Sequence, residues 1–200
     1  MFRTDDVKTV WGSQHSSVMV DKITTGVNDD GDIVKKLYCW RGGALVCYDV
    51  SDDVSLEKSS GKTVSKGDIV RIGIGKNKIE RLTPDIDASG SSIIADPKSS
   101  GQLNAFTSSF SYAAGYVYSV GVNLVVLSDT PITAADVMPT ELNVVPLSTS
   151  ASFLRYNKSD GTIAPAALRS VHTLKGVGAS ADYVVIKTAS DVGSDVFIYE

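Results

Sequence analysis

Chemistry in a chain of this size needs converging histidines, thiols or carboxylates, and such residues are few here. Among 200 residues, only His15 and His172 are histidines and only Cys39 and Cys47 are cysteines. Either histidine could act as a base toward one of the many serines, but no nucleophile-elbow motif accompanies it. Each reads instead as a surface or capping residue. Two sulfurs with no histidine nearby make a poor zinc site. The Asn28-Asp29-Asp30-Gly31-Asp32 run concentrates oxygen ligands but lacks the spaced acids and distal bidentate glutamate of an EF-hand loop. It reads as a turn, because Asn and Asp tolerate left-handed backbone and Gly31 adopts it freely. Asp85, Asp87 and Asp96 form a vaguer acidic cluster. Gly61-Lys62-Thr63 ends like a phosphate-binding loop, yet Leu56 stands where the first glycine is required and no helix-forming run follows. Gly73-Ile74-Gly75 lacks a third glycine, since Lys78 occupies its place. No catalytic residue, metal ligand or cofactor is assigned, and the expectation is a protein that is not an enzyme.

What remains is binding. Trp40 and the tyrosines at 38, 48, 112, 116, 118, 156, 183 and 199 fall on strand positions. They could form stacking platforms of the OB-fold kind, although such rings more often fill barrel cores and cover sheet faces. Arg71, Lys76, Lys78 and Arg81 crowd one hairpin as a local basic strip, which also reads as solvated charge that discourages edge pairing. The candidate binding residues are therefore Trp40, Arg71, Lys76 and Lys78. A formal charge of −4 and a pI near 5.2 remove the general drive toward nucleic acid or anionic membrane. No apolar run approaches the roughly 20 residues of a membrane span. The first residues carry no apolar signal region, which points to a cytoplasmic product, a particle assembled in the cytoplasm, or a fragment of an exported protein.

The elements that must hold these residues are strands. Hydrophobic residues make up 42% of the chain, enough for real cores in two modules. The clearest stretch is 65–82. A Lys66-Gly67-Asp68 turn launches a strand in which residues 69, 71 and 73 alternate with 70, 72 and 74. A Gly75-Lys76-Asn77-Lys78 turn then reverses it into 79–82. Residues 181–187 and 195–200 make a looser closing hairpin around a turn containing Gly and Ser. Residues 7–11, 17–25, 33–40, 44–50 and 54–56 read as further short strands, the set expected of a small barrel or sandwich.

If Gly42-Gly43 form a two-residue turn, Cys39 pairs with Val46 and Cys47 with Tyr38, which puts the thiols on opposite faces and forbids a disulfide. A three-residue loop at 42–44 would set the cysteines opposite each other. Free thiols are the favoured reading.

Residues 83–104, rich in Pro, Gly, Ser and Asp, read as a connection, with 93–94 adding an edge strand. Beyond it, 112–117, 122–127, 142–147 and 152–156 read as strands. Residues 131–138 and 165–172 read as short helices, the first with Thr130 as cap and Pro131 at its first position. The expected fold is all-β with one or two short helices: two tandem small β-barrel or sandwich modules at 1–83 and 106–200, joined by 84–105. The halves share an Asp-Gly turn (Asp30-Gly31, Asp160-Gly161) and a closing hairpin, which allows a duplication of one module.

The wording of residues 20–37, with the Asn28 to Asp32 turn, the 65–74 strand after Lys66-Gly67-Asp68 and the 78–82 return, resembles the β-barrel modules of Firmicutes surface-layer-type proteins. The closing strands 183–188 and 196–200 are similar to the ends of their later modules. The resemblance implies a non-enzymatic structural protein and brings no catalytic residues with it. No surface-layer-homology anchor is visible. The same modules would suit a phage virion, as capsid or tail component, whose partners are copies of itself and other structural subunits, with no membrane and no nucleic acid. A bacterial surface-layer or cell-envelope location is the alternative, and an OB-like module gripping single-stranded nucleic acid or glycan is the other.

Overall fold

Turn chemistry sets the strand registers in this protein. Gly42 (φ +55°) and Gly43 (φ +83°) both take the left-handed backbone that a two-residue hairpin turn matched to strand twist requires. They join β2 (Ile33–Arg41) to β3 (Ala44–Val50), pairing Arg41 with Ala44, Cys39 with Val46 and Tyr38 with Cys47. The cysteines therefore face opposite ways and both are free, Cys39 buried and Cys47 exposed. Burial pushes the Cys39 thiol up to about 12.

The computed structural model describes residues 16–76, 78–90, 110–131, 139, 141–173 and 181–200. Among these, β1 (Ser16–Val27), β2, β3, β4 (Ile69–Gly75) and β5 (Lys78–Ile86) close into a barrel in the order β1-β2-β3-β5-β4. Every neighbour pair is antiparallel except β3 with β5. Asp21 is an extra residue in β1, and the bend it introduces lets the strand pair with β4 through 16–19 and with β2 through 19–27. The interior is filled by Val18, Val20, Leu37, Cys39, Val50, Val70, Ile72 and Ile79, with Leu56 and Val64 closing one end. This connectivity is that of a five-stranded Greek-key barrel of the OB type.

The second barrel repeats it. β6 (Ser111–Val120), β7 (Leu124–Ser128), β8 (Leu142–Asn157), β10 (Tyr183–Ala189) and β11 (Val192–Tyr199) run in the order β6-β7-β8-β11-β10 and close through β10 with β6. Again the first strand pairs with the second and fourth, and the third lies parallel to the fifth. The one addition is β9 (Thr162–Pro165), hairpinned onto the end of β8. Val117, Val125, Leu127, Val145, Val184, Ile186, Val196 and Ile198 form its core. The all-β expectation of two tandem barrels is borne out, and the repeat lies in topology and the closing hairpins. The two Asp-Gly turns are not equivalent, since one joins β1 to β2 and the other β8 to β9.

Four local readings are corrected. Residues 142–147 and 152–156 are one strand of 16 residues rather than two. Residues 54–56 form no strand, and the Gly61 turn is closed by an isolated Glu57–Thr63 bridge with backbone bonds from Lys58 to Lys62 and from Val64 to Leu56. Pro165 ends β9, where an edge strand needs no N–H, and the expected helix at 165–172 shrinks to one 3-10 turn, Leu168–Ser170. β5 carries the first barrel through Ile86, so Thr83, Pro84 and Asp85 belong to a strand rather than to the connection. The strands read at 7–11 and 93–94, the helix at 131–138 and most of the 84–105 connection lie outside the described residues.

Candidate functional site

β4 is where the alternation pattern acquires a second meaning. Val70 and Ile72 point into the barrel, yet Ile69 and Arg71, on the opposite face, are fully buried as well. That outer face is covered by the second barrel. Met19, Ile69 and Ile86 of the first barrel pack with Phe110, Tyr112, Leu154, Val185, Phe197 and Tyr199, the outward face of the second. Tyr156, Tyr183 and Trp40 fringe this seam.

Within the apolar seam sits one polar constellation. β5 carries an extra residue opposite the Ile69–Val70 step, and that residue is Asp85. The bulge aims its carboxylate at Arg71, two positions along the neighbouring strand. Arg71 Nη2 donates to Oδ1 at 2.8 Å and Nε lies 2.6 Å from Oδ2 in the ion pair, with both side chains fully buried. Tyr112 of the second barrel donates its hydroxyl to Asp85 Oδ2 at 2.9 Å. Because that proton is committed, Ser17 of β1 must donate its own to the Tyr112 oxygen, 3.1 Å away. The guanidinium also lies 4.6 Å from the centre of the Phe110 ring. Burial raises the Asp85 pKa above the ordinary carboxylate value, with Arg71 and Tyr112 offsetting part of the shift. Burial holds the Tyr112 phenol well above its usual range. Burial also lowers the Lys187 ammonium, which lies 3.8 Å from Asp195 on the same seam face.

A second joint lies at the Lys66-Gly67-Asp68 turn. Gly67 (φ +86°) donates to the Val20 carbonyl at 2.9 Å, and its own carbonyl accepts the Tyr199 hydroxyl at 3.1 Å. A methyl group there would run into the Tyr156 ring. The turn read only as a strand launcher is thus also a docking point between the barrels.

The candidate binding residues are scattered by this arrangement. Arg71 leaves the expected basic strip altogether, because it is buried in an ion pair. Lys76 stands exposed at the β4–β5 turn with φ +49°, while Lys78 is half-buried and pairs with both Gly75 and Asp49. Trp40 lies opposite Met19 and packs on the seam, its indole nitrogen buried with no partner among the described residues. It is not an open stacking platform. Tyr38, on the same strand face, remains half-buried with Lys22 4.6 Å from its ring centre.

The remaining candidates resolve into local ties. His15 lies outside the described residues. The His172 backbone N–H donates to Asp182 at 2.8 Å, while its ring stands 3.6 Å from that carboxylate, beyond hydrogen-bond distance. Arg155 takes both Asp182 oxygens and also reaches Glu200 and the Ser170 carbonyl. His172, Asp182 and Glu200 edge a groove of about 440 Å³ that also touches Tyr116, Tyr183 and Lys158. Asn28 Oδ1 is occupied by the Asp30 and Asp32 backbone N–H groups. Among the described residues no group of three or more His, Cys, Asp or Glu side chains is placed to hold a metal, and no helix is long and apolar enough to cross a membrane.

The sequence places Asp85 in an acidic cluster and Tyr112 among the rings, and their meeting with Arg71 was missed. The signal was available, since an arginine inside the apolar run 69–72 of a hairpin asks for an acid across the strand. No protein-family model, curated protein or solved structure matches the chain, so this geometry carries the functional reading without relatives.

Proposed function

We propose that this chain is a non-enzymatic structural protein, a repeated subunit or decoration of an ordered surface assembly, of the kind a phage virion uses in its capsid or tail. One observation supports this most. Three fully buried ionisable groups, Arg71, Asp85 and Tyr112, are spent on fixing two barrels to each other. Such a joint suits a rigid building block whose outer faces and hairpin tips meet neighbours. Exposed apolar side chains sit at those tips and edges, among them Val27, Ile33, Leu45, Val122 and Val192. Electron microscopy of the purified protein over a concentration series tests the reading, with rings, sheets or tubes expected. A monodisperse monomer at every concentration, and in its native setting, would end it. A bacterial surface layer is the alternative site for the same subunit, and antibody labelling of cell envelopes against purified particles separates the two.

A second reading, a single-strand nucleic-acid or glycan-binding module, draws support from the OB-type connectivity and the Lys22–Tyr38 pair on the outer face of β1 and β2. Its test is salt-dependent oligonucleotide or glycan binding lost in Tyr38→Ala. Trp40→Ala is the poorer probe, because it also opens the seam.

A further inference from the structure

We infer that the open edge of β3 is where this chain pairs with a second copy of itself, strand against strand and antiparallel. The inference rests on the repeated-subunit reading above and names the contact. β3 is paired with β2 along its whole length, but with β5 only at Asp49 and Val50. The Ser51 N–H reaches the Ile79 carbonyl at 3.0 Å, so residues 49 and 51 turn their backbone groups toward β5. Backbone groups in a strand alternate direction, and Leu45 and Cys47 therefore turn theirs the same way. Among the described residues no strand lies there.

This edge lacks the devices that normally protect one. Residues 44–48 contain no charge, no proline and no bulge, and Leu45 is 48% exposed beside the exposed Cys47. Other strand stretches with one unpaired side carry such devices: β9 is four residues long and ends in Pro165, β5 beyond Ile79 carries Glu80, Arg81 and Pro84, and β1 beyond its Asp21 bulge carries Lys22. A row of unpaired N–H and C=O groups is complementary to extended backbone and to little else. The best-matched edge the molecule offers a copy of itself is β3 again.

The register follows from what is free. Gly43 belongs to the turn and Asp49 is taken by β5, so only Leu45 and Cys47 have backbone groups to share. A two-fold axis at Val46 sets Leu45 against the partner's Cys47 and Cys47 against the partner's Leu45, each pair exchanging both hydrogen bonds. Such a contact is small, as suits one of several weak joints that add up in a lattice.

The test is sedimentation velocity of the full chain at rising concentration, with two edge variants. Leu45→Lys sets a charge at the centre of the pairing. Cys47→Pro removes an N–H that points away from β2, and so takes no bond from the barrel itself. Both are expected to weaken self-association at least about tenfold (one decade of equilibrium constant is about 1.4 kcal/mol), while Lys62→Glu, exposed in the Gly61 turn, leaves it unchanged. As an independent arm, Leu45→Cys is expected to cross-link to the partner's Cys47 on mild oxidation, since paired strand positions match disulfide geometry. Assembly undiminished in both edge variants, with no cross-link, overturns the β3 edge and leaves the repeated-subunit reading standing. A wild-type protein that never associates overturns both. Strong exchange protection of the Leu45 and Cys47 amides in the monomer overturns the edge by showing it already covered.

Discussion

The two barrels share one connectivity and differ in how they are closed. In the second, the 16-residue β8 pairs with β7 through its first half and with β11 at six positions around its second. In the first, the seven-residue β3 meets β5 at two positions only. Strand order alone therefore does not fix how completely a barrel is sealed; the length of the third strand does. The first barrel compensates elsewhere, by burying the outer faces of β1, β4 and β5 under its neighbour. With fewer rungs of its own at the β3–β5 closure, it is expected to depend on the seam more than the second barrel does.

The largest test of that dependence is at the buried ion pair. Arg71→Met or Asp85→Leu leaves one charge uncompensated and is expected to cost about 3–5 kcal/mol in urea unfolding, whereas the double variant recovers most of the loss. Equal losses in single and double variants would show that the pair does not act as a unit. Phe197→Ala removes a ring from the seam at a comparable cost of about 3–5 kcal/mol. We expect it to split one unfolding transition into two, the first barrel melting earlier. Ile186→Ala, in the core of the second barrel, should lower the stability by about 2–5 kcal/mol without that split.

Smaller effects sharpen the contrast between seam and surface. Gly67→Ala meets the Tyr156 ring and a left-handed backbone together, and should destabilise by about 1–3 kcal/mol. Gly31→Ala, with φ +90° and open space around it, should cost about 1 kcal/mol or less from backbone strain alone. Alkaline titration reads the seam directly. Burial lifts the phenols of Tyr112 and Tyr199 well above the ordinary value of 10.0. Their contribution to stability is therefore intact below pH 10 and is lost as pH rises from there toward the folded pKa values. Absorbance at the phenolate band should show these two rings ionising only with unfolding, and Tyr112→Phe should soften the pH dependence. Early ionisation of all tyrosines would mean an open seam.

Much of this was legible because hairpins are local. Gly42-Gly43 favoured the observed β2–β3 register over the one a three-residue loop at 42–44 would set, and the Lys76 turn and the alternation after Asp68 marked β4 and β5. What was hidden is non-local. Arg71 reads correctly as facing outward, but nothing in the strand says that outward means into another barrel. Pro84 and Asp85 looked like the start of a connection, because proline and aspartate are rare inside strands. They sit there at a bulge, the one place a strand tolerates them. The continuity of β8 was obscured by its polar middle, Ser148 to Ser150, which bows out where the pairing to β11 skips. Of the binding candidates, residue type was a poor guide. Trp40 and Arg71 proved to be joinery, while Lys76 and Lys78 kept to the surface or its margin.

Phe197 and Tyr199 lie in the final strand, and this has a consequence for synthesis. The ribosome delivers Ile86 and the whole first barrel long before it delivers the rings that cover it. At about 5–20 residues per second the interval is on the order of ten seconds. Throughout it, the nascent barrel displays a greasy face with Arg71 and Asp85 at its centre, lacking the hydroxyl of Tyr112 for part of that time. Premature contact between unfinished chains is the hazard, and an ionic pair in the middle of that face is a poor surface for another barrel to stick to.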